Sequence, residues 1–214
     1  MKFRKSEFIS LLIVILSFIV SWYFYPALPE KAASHWNAQG EVNGYVSKFW
    51  GAFLMPIIGA AVYIIFLLIP RIDPRRENIQ KFRSYFDGFI VLLLLFFFYL
   101  HGLTLAWNLG SNFDMVVMLI PAFFVLFFYV GVMLRHAEMN WTIGIRTPWT
   151  LSSEKVWKKT HLLGGRLFQL SAIISLIGIL FPNQAIWLLL IPIIASALGL
   201  FAYSYFLYRR EEIK

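Results

Sequence analysis

Six long apolar runs dominate the chain, and their length limits what it can fold into. They cover residues 8–25, 50–69, 88–107, 115–134, 167–181 and 185–207. A helix of about 20 residues crosses a hydrocarbon layer of about 30 Å, and five of the runs reach or nearly reach that length. A backbone in lipid must satisfy its own hydrogen bonds, and no run alternates as barrel strands do. The sequence therefore predicts an all-α integral membrane protein with six transmembrane helices.

The composition excludes an ordinary soluble domain. Hydrophobic residues make up 60% of the chain and charged residues only 14%, whereas a soluble domain carries about 25% charged residues. Cysteine is absent, which excludes disulfides, thiol nucleophiles and cysteine metal sites.

The fifth apolar run, 167–181, is shorter than the others. We expect its helix to continue backward through Arg166, whose side chain can reach the interface.

The positive charge is concentrated in alternate connections. The N-terminus, the second and fourth connections and the C-terminus hold three, five, six and three Lys or Arg residues, together 17 of 19, including Lys2 and Lys214. Only Lys31 and Lys48 lie on the other side. Basic loops stay inside, which predicts a multi-pass plasma-membrane protein with both termini cytoplasmic. The net charge of +8 therefore indicates topology and contact with membrane lipids, and no direct nucleic-acid partner is expected.

The predicted spans offer few side chains that could carry chemistry or charge. None contains Asp, Glu, Lys or Arg, although proton-coupled carriers usually need ionisable groups at depth. His101 in the third span is either a buried histidine bonded to a neighbouring carbonyl or hydroxyl, or a transport or switching residue. Pro56, Pro121 and Pro192 are either ordinary membrane-helix prolines or matched kinks around an outward-opening cavity.

The predicted outer loop, 26–49, is polar but carries aromatic residues. Asn43-Gly44 is a strong turn signal and Gly40 offers another turn, so a small ordered loop or hairpin is expected. Trp36 and Tyr45 are either interfacial anchors or, with Asn37, part of a docking surface for something outside.

The predicted inner loop, 135–166, holds the most distinctive residues. Thr147 precedes a proline and is expected to be extended. Arg146 stands among apolar residues and needs a partner, either lipid phosphate, a helix C-terminus or a carboxylate such as Glu138. A helix is expected to begin near Ser152 or Ser153. We expect an amphipathic inner surface helix near 152–165, whose one face carries Val156, Trp157, Thr160, His161 and Gly164.

No motif in the chain indicates catalysis. His136, Glu138 and His161 would form a metal site only if the fold brought them together. The sequence contains no Gly-rich phosphate loop and no serine elbow. We therefore predict a non-enzyme without catalytic residues, metal or cofactor.

Two groups of residues resemble a known family. Asn140, residues 143–151 (Ile-Gly-Ile-Arg-Thr-Pro-Trp-Thr-Leu), Val156-Trp157 and Thr160-His161 resemble the signature of the SdpI-like bacterial immunity proteins. The outer loop resembles the N-terminal domain of unknown function often found with it. The matching outer residues are Leu28-Pro29, His35-Trp36-Asn37, Gly40, Gly44-Tyr45 and Ser47-Lys48.

The resemblance implies a membrane-embedded immunity and sensor protein. Such proteins protect a cell from a secreted peptide toxin, and in one system recruit a winged-helix repressor to the membrane. The implied regions are 1–86, with two spans and the outer loop, and 87–214, an SdpI-like region of four spans. The alternative function is a small-solute or lipid transporter of the plasma membrane.

The site residues expected from these motifs form two sets. The outer-loop binding set comprises His35, Trp36, Asn37, Gly44, Tyr45 and Lys48. The inner-loop set comprises Asn140, Gly144, Arg146, Thr147, Pro148, Trp149, Thr150, Trp157 and His161.

Overall fold

The computed structural model describes residues 4–212, with the side chain of Glu212 left out, so Lys2 and Lys214 lie outside the described residues. The helices are α1 Lys5–Phe24, α2 Lys48–Ile72, α3 Arg76–Lys81, α4 Arg83–Asn108, α5 Met115–His136, α6 Pro148–Ser152, α7 Glu154–Ser175 and α8 Ala185–Glu212. The strands are β1 Lys31–Trp36 and β2 Val42–Ser47.

Within the described part of the chain, six helices are long and apolar enough to cross a membrane, which confirms the predicted number of spans. They are α1, α2, α4, α5, α7 and α8, three of them extended by short 3₁₀ turns. Large apolar side chains face outward, for example Trp22 and Leu198, which are 77% and 67% exposed. Such exposure is stable in lipid and would be costly over so many residues in water.

The fifth span begins earlier than its apolar run. Helix α7 passes through Arg166, as expected, and Ser153 is its N-cap, because the serine side chain accepts a hydrogen bond from the Val156 N–H. The predicted surface helix near 152–165 is therefore the first half of α7. Its apolar face packs inside the protein instead of lying on lipid, since Val156, Trp157 and His161 are at most 2% exposed.

The segment between α1 and α2 is an antiparallel β-hairpin, in which Lys31 pairs with Ser47 and Ala33 with Tyr45. The prediction of a turn at Asn43-Gly44 was wrong, because both residues lie inside β2. The chain reverses at 37–40 instead. There the Asn37 side chain accepts hydrogen bonds from the Gln39 and Glu41 N–H groups, at 3.0 and 2.9 Å. Gly40 provides the positive φ of 77° that the turn needs.

The six long helices pack as two groups of three. Helices α1, α2 and α4 contact one another, α7 lies between α5 and α8, and α4 joins the groups by packing against α5. The hairpin lies on the start of α2 and the end of α4, at what we call the hairpin end. The segment 137–147 lies at the opposite end, the loop end. The proposed regional division at 86/87 falls within α4 and remains a prediction.

Candidate functional site

The hairpin is held on the bundle by side chains at its base. The Asn108 amide at the end of α4 accepts from the Ala33 N–H at 2.7 Å and donates to the Ala33 carbonyl at 3.0 Å. Lys48 bridges to Glu30 at 3.4 Å and lies over the Tyr25 ring. Sequence reasoning missed Asn108; its one signal was a polar amide directly after the apolar run that ends at Trp107.

An apolar cavity of about 450 Å³ lies beneath the hairpin. We call it the hairpin cavity. Its lining residues include Trp36, Met55, Leu119, Phe123, Ile186 and Leu189. The Trp36 ring meets Trp107 edge to face at 5.7 Å, and its indole Nε1 is buried without a hydrogen-bond partner among the described residues. A buried unpaired donor is costly, so the cavity suits an apolar ligand that brings a carbonyl oxygen.

The six predicted outer-loop residues divide into two groups. His35, Trp36 and Asn37 line the hairpin cavity, and the His35 Nδ1 is 2.5 Å from the Asn43 Oδ1. Gly44, Tyr45 and Lys48 are not among its lining residues. Tyr45 is 61% exposed, Lys48 supports the hairpin base, and Gly44 leaves room for the His35 Cβ, which a Cβ at position 44 would approach to 2.9 Å.

His101 lies deep in α4 and is 1% exposed. Its Nε2 is 2.9 Å from the Ser21 hydroxyl, which also donates to the Ala52 carbonyl at 2.7 Å. Of the two interpretations of His101, this arrangement is the buried histidine bonded to a neighbouring hydroxyl. The same contacts link α1, α2 and α4 below the hairpin.

At the loop end, Asn140 organises the distinctive inner sequence. Its Oδ1 accepts from the Thr142 and Ile143 N–H groups at 2.9 and 2.6 Å, and its Nδ2 donates to the Glu138 and Ile143 carbonyls at 2.8 and 3.0 Å. Asn140 is fully buried. Asn140 therefore holds the backbone of residues 138–143, which form no regular secondary structure, through four hydrogen bonds.

Trp157 and His161, one turn apart on α7, support the same segment. The Trp157 indole donates to the Ala137 carbonyl at 2.7 Å, and its ring stacks on His161 with centroids 3.9 Å apart. The His161 Nε2 accepts from the Ile145 N–H at 2.9 Å, and its Nδ1 is 2.8 Å from the Trp157 carbonyl. Gly144, at φ 120°, lies so close to this pair that a Cβ there would overlap the His161 ring.

The Thr-Pro-Trp-Thr sequence begins the short helix α6. Thr147 is its N-cap, in a capping box with Thr150, and the Thr147 hydroxyl is 3.0 Å from that of Ser204 on α8. Trp149 packs between Phe201 and Tyr205, with centroid distances of 5.1 and 5.0 Å. The extended conformation expected at Thr147 is confirmed, with φ −105° and ψ 161°.

Arg146 and Pro148 are the exposed members of the inner-loop set. Of the partners expected for Arg146 within the protein, neither a helix C-terminus nor Glu138 accepts its hydrogen bond among the described residues; the guanidinium donates to the Trp141 carbonyl at 2.8 Å. Contact with lipid phosphate stays a prediction. The Trp141 ring is 47% exposed and lies against Arg75, 5.7 Å from the guanidinium carbon. Trp141, Arg146 and the half-buried Arg75 form a patch at the loop end, which we call the Trp141 patch.

Asp73, which sequence reasoning missed, joins α2 to the inner segment. It is 2% exposed, and one carboxylate oxygen accepts from the Thr142 hydroxyl at 2.7 Å and the Trp141 N–H at 3.1 Å. The other accepts from the Arg75 N–H at 2.7 Å. Its signal was an acidic residue at the end of an apolar run directly before Pro74.

A charge cluster with a buried centre, also missed, lies at the loop end of α1 and α4. Asp87 accepts from Arg83 Nε and Arg4 Nε, both at 2.6 Å, and from the Ser6 hydroxyl at 3.0 Å. Arg83 also pairs with Glu7 at 3.2 Å. The signal was the four-residue spacing of Arg83 and Asp87, which places both on one helix face.

Comparison with known proteins matches both distinctive regions. Residues 12–60 match the domain of unknown function DUF1648, and residues 136–204 match the SdpI/YfhL protein family. The chain is 28% identical over 194 residues to the Immunity protein SdpI of Bacillus subtilis (strain 168), covering 91% of each chain. The chain is therefore similar to the SdpI-like proteins and also carries a DUF1648 region. No solved structure matches it.

The matched regions contain the hairpin and the distinctive inner sequence. The DUF1648 match includes most of α1, the whole hairpin and the first half of α2. The SdpI match includes Asn140, α6, α7 and most of α8. Asp73, Asp87 and Asn108 lie between the two matched regions, although each contacts an element in or next to one of them.

The residues considered for a metal site are engaged elsewhere. His136 stacks on Tyr85 with centroids 3.8 Å apart, and its Nδ1 is 2.9 Å from the Val132 carbonyl. Both ring nitrogens of His161 contact backbone groups. Among residues 4–212, no three His, Asp or Glu side chains are grouped so that they would hold a metal ion.

Proposed function

We propose that this chain is a non-enzymatic membrane immunity protein that gives resistance to a secreted peptide toxin. The observation that carries the proposal is its similarity to the Immunity protein SdpI along 91% of both chains. The distribution of Lys and Arg supports a plasma-membrane orientation with the hairpin end outside and both termini in the cytoplasm.

The hairpin cavity is the proposed place of toxin contact. It is mostly apolar and large enough for one or two large side chains, which suits a hydrophobic peptide. The unpaired Trp36 N–H supplies one donor for a carbonyl of the bound peptide. His35 and Asn37 lie at the same cavity and add polar contacts.

Expression of the chain in a Bacillus subtilis strain without its own SdpI is expected to restore survival. Cells are challenged with medium conditioned by the wild-type strain and, separately, by the source organism. Trp36→Phe keeps an aromatic ring but removes the N–H donor, so we expect about a fivefold loss of protection, the effect of one neutral hydrogen bond. Trp36→Ala also removes apolar contact and is expected to lose more.

The matched control is Trp22→Phe on the exposed face of α1, which is expected to protect like the unchanged chain. Protein levels in the membrane are measured for each variant. If cells that express the chain in their membrane survive no better in either medium than cells that do not express it, the immunity proposal fails. If Trp36→Ala protects fully, immunity stands and the hairpin cavity is not the contact site.

The Trp141 patch is the proposed docking surface for a cytosolic winged-helix repressor. It combines an exposed aromatic ring with Arg75 and Arg146, so it suits a partner with an acidic, partly apolar surface. The hairpin and this patch lie at opposite ends of the bundle, as a sensor that reports toxin across the membrane requires.

A photocrosslinking amino acid at position 141 is expected to capture a winged-helix protein when toxin is present, and less of it without toxin. The same probe at position 149, which packs between Phe201 and Tyr205, is the control and should capture little. Identification is by mass spectrometry of the crosslinked band. Equal capture at both positions, or no repressor at position 141 with toxin present, contradicts recruitment through this patch.

A further inference from the structure

A groove open to the side of the bundle runs between α1, α4 and α5. Its volume is about 740 Å³, and we call it the lateral groove. Arg4, Ser6 and Asp87 lie at its polar end, near the loop end of the bundle. Apolar side chains line the rest, among them Leu92, Leu95, Phe124 and Phe128. Polar groups at one end and hydrocarbon along the remainder match the two parts of a lipid.

The lateral groove continues toward the hairpin end. A second cavity of about 350 Å³ shares Leu92, Leu95 and Val125 with it and extends to Tyr99 and Pro121. From Asp87 to Tyr99 the helix rises about 18 Å at 1.5 Å per residue. Half of a hydrocarbon core of about 30 Å is about 15 Å, so the combined groove reaches about as deep as the acyl chain of one leaflet.

Arginine side chains surround the polar end. Arg4 also lines an adjoining pocket of about 400 Å³, together with Arg71, Arg76 and Arg83. Arg4 and Arg83 are paired with Asp87 and Glu7. Arg71 and Arg76 are exposed, and neither forms an ion pair among the described residues. Two positive charges without a carboxylate partner therefore stand beside the mouth of an apolar groove.

We propose that this site binds an anionic phospholipid. Arg71 and Arg76 hold the headgroup phosphate, which guanidinium groups recognise through paired N–H donors. Arg4, which borders both cavities, lies where the headgroup meets the chains, and one acyl chain occupies the lateral groove. The continuity of charged pocket and apolar groove favours a lipid over free phosphate, because free phosphate would use only the first.

The test uses the full chain purified in detergent and mixed with micelles that contain phosphatidylglycerol and phosphatidylcholine in equal amounts. Retained lipid is measured by mass spectrometry after size-exclusion chromatography. The unchanged chain is expected to enrich phosphatidylglycerol. In the double variant R71A/R76A this enrichment should fall about tenfold, because each removed arginine weakens attraction to an anionic lipid. The double variant R71K/R76K keeps the charge and should lose less.

Two matched controls separate this site from general charge and general surface effects. R209A/R210A removes the same charge from the end of α8 and should keep the enrichment. Val125→Trp fills the groove and should lower phosphatidylglycerol retention about fivefold, whereas Leu198→Trp on the exposed face of α8 should not. All variants are compared as single symmetric chromatography peaks.

Three results would overturn the proposal. The first is R71A/R76A with no loss of enrichment, or with a loss equal to that of R209A/R210A. The second is unchanged retention in Val125→Trp, which would mean that no chain occupies the groove. The third is full displacement of phosphatidylglycerol by millimolar inorganic phosphate, which would indicate a free-phosphate site.

Discussion

Replacing Trp157 by alanine is expected to destabilise the protein by about 3–5 kcal/mol, the usual cost of truncating a fully buried large aromatic residue. Trp157 is 2% exposed, donates to the Ala137 carbonyl and stacks on His161. Its loss leaves a cavity and an unpaired carbonyl where segment 137–147 meets α7. The free energy of unfolding is measured by denaturant titration in mixed micelles, and limited proteolysis reports whether the segment has become accessible.

Two further tryptophan variants give an intermediate and a minimal expected loss of stability for comparison. Trp157→Phe keeps most of the ring volume and loses the hydrogen bond, so about 1–2 kcal/mol is expected. Trp22→Ala, at a side chain that is 77% exposed, should change the free energy of unfolding little, because lipid or detergent already covers that ring. A Trp157→Ala protein as stable and as protease-resistant as Trp22→Ala would show that the inner segment does not depend on this contact.

Replacing Asp87 by alanine is expected to cost about 3 kcal/mol, because removing one partner of a buried ion pair leaves its counter-charge uncompensated. The Asp87 and Arg83 side chains are 7% and 10% exposed. Asp87 also accepts from Arg4 and Ser6, so the change detaches the start of α1 from α4. The same micelle titration gives the free energy of unfolding.

Asp87→Asn retains hydrogen-bonding capacity and should cost less than Asp87→Ala. Glu30→Gln is the surface control, since the Glu30 side chain is 89% exposed and its pairing with Lys48 is worth little. Equal stability of Asp87→Ala and Glu30→Gln would mean that the charge cluster contributes nothing to the fold.

Much of the architecture was predictable because it depends on local composition. Each span is visible in the sequence as a long apolar run. A backbone in lipid must satisfy its own hydrogen bonds, so each run forms a helix regardless of its neighbours. The backward extension of α7 through Arg166 and its cap at Ser153 also follow from residues adjacent in the chain. The family resemblance rested on short motifs of the same kind, and the comparisons confirmed it.

The hairpin shows where local signals fail. Asn43-Gly44 is the stronger turn sequence, yet the turn forms at 37–40, where the Asn37 side chain holds the backbone. Pairing with β1 keeps Gly44 opposite His35, at an irregularity in the register. Local preference was overridden by strand pairing and by the anchoring of Ala33 to Asn108.

By itself, the sequence determined the six spans, the start of α7 near Ser153 and the two distinctive polar segments. The tertiary structure alone decided that most inner-motif residues are buried supports, that a cavity lies under the hairpin, and that Asp73, Asp87 and Asn108 hold distant elements together. The partners in those contacts are separated by 69, 83 and 75 positions in the chain. Hydrogen bonds and ion pairs over such separations depend on how the helices pack, and no local pattern of residues carries that information.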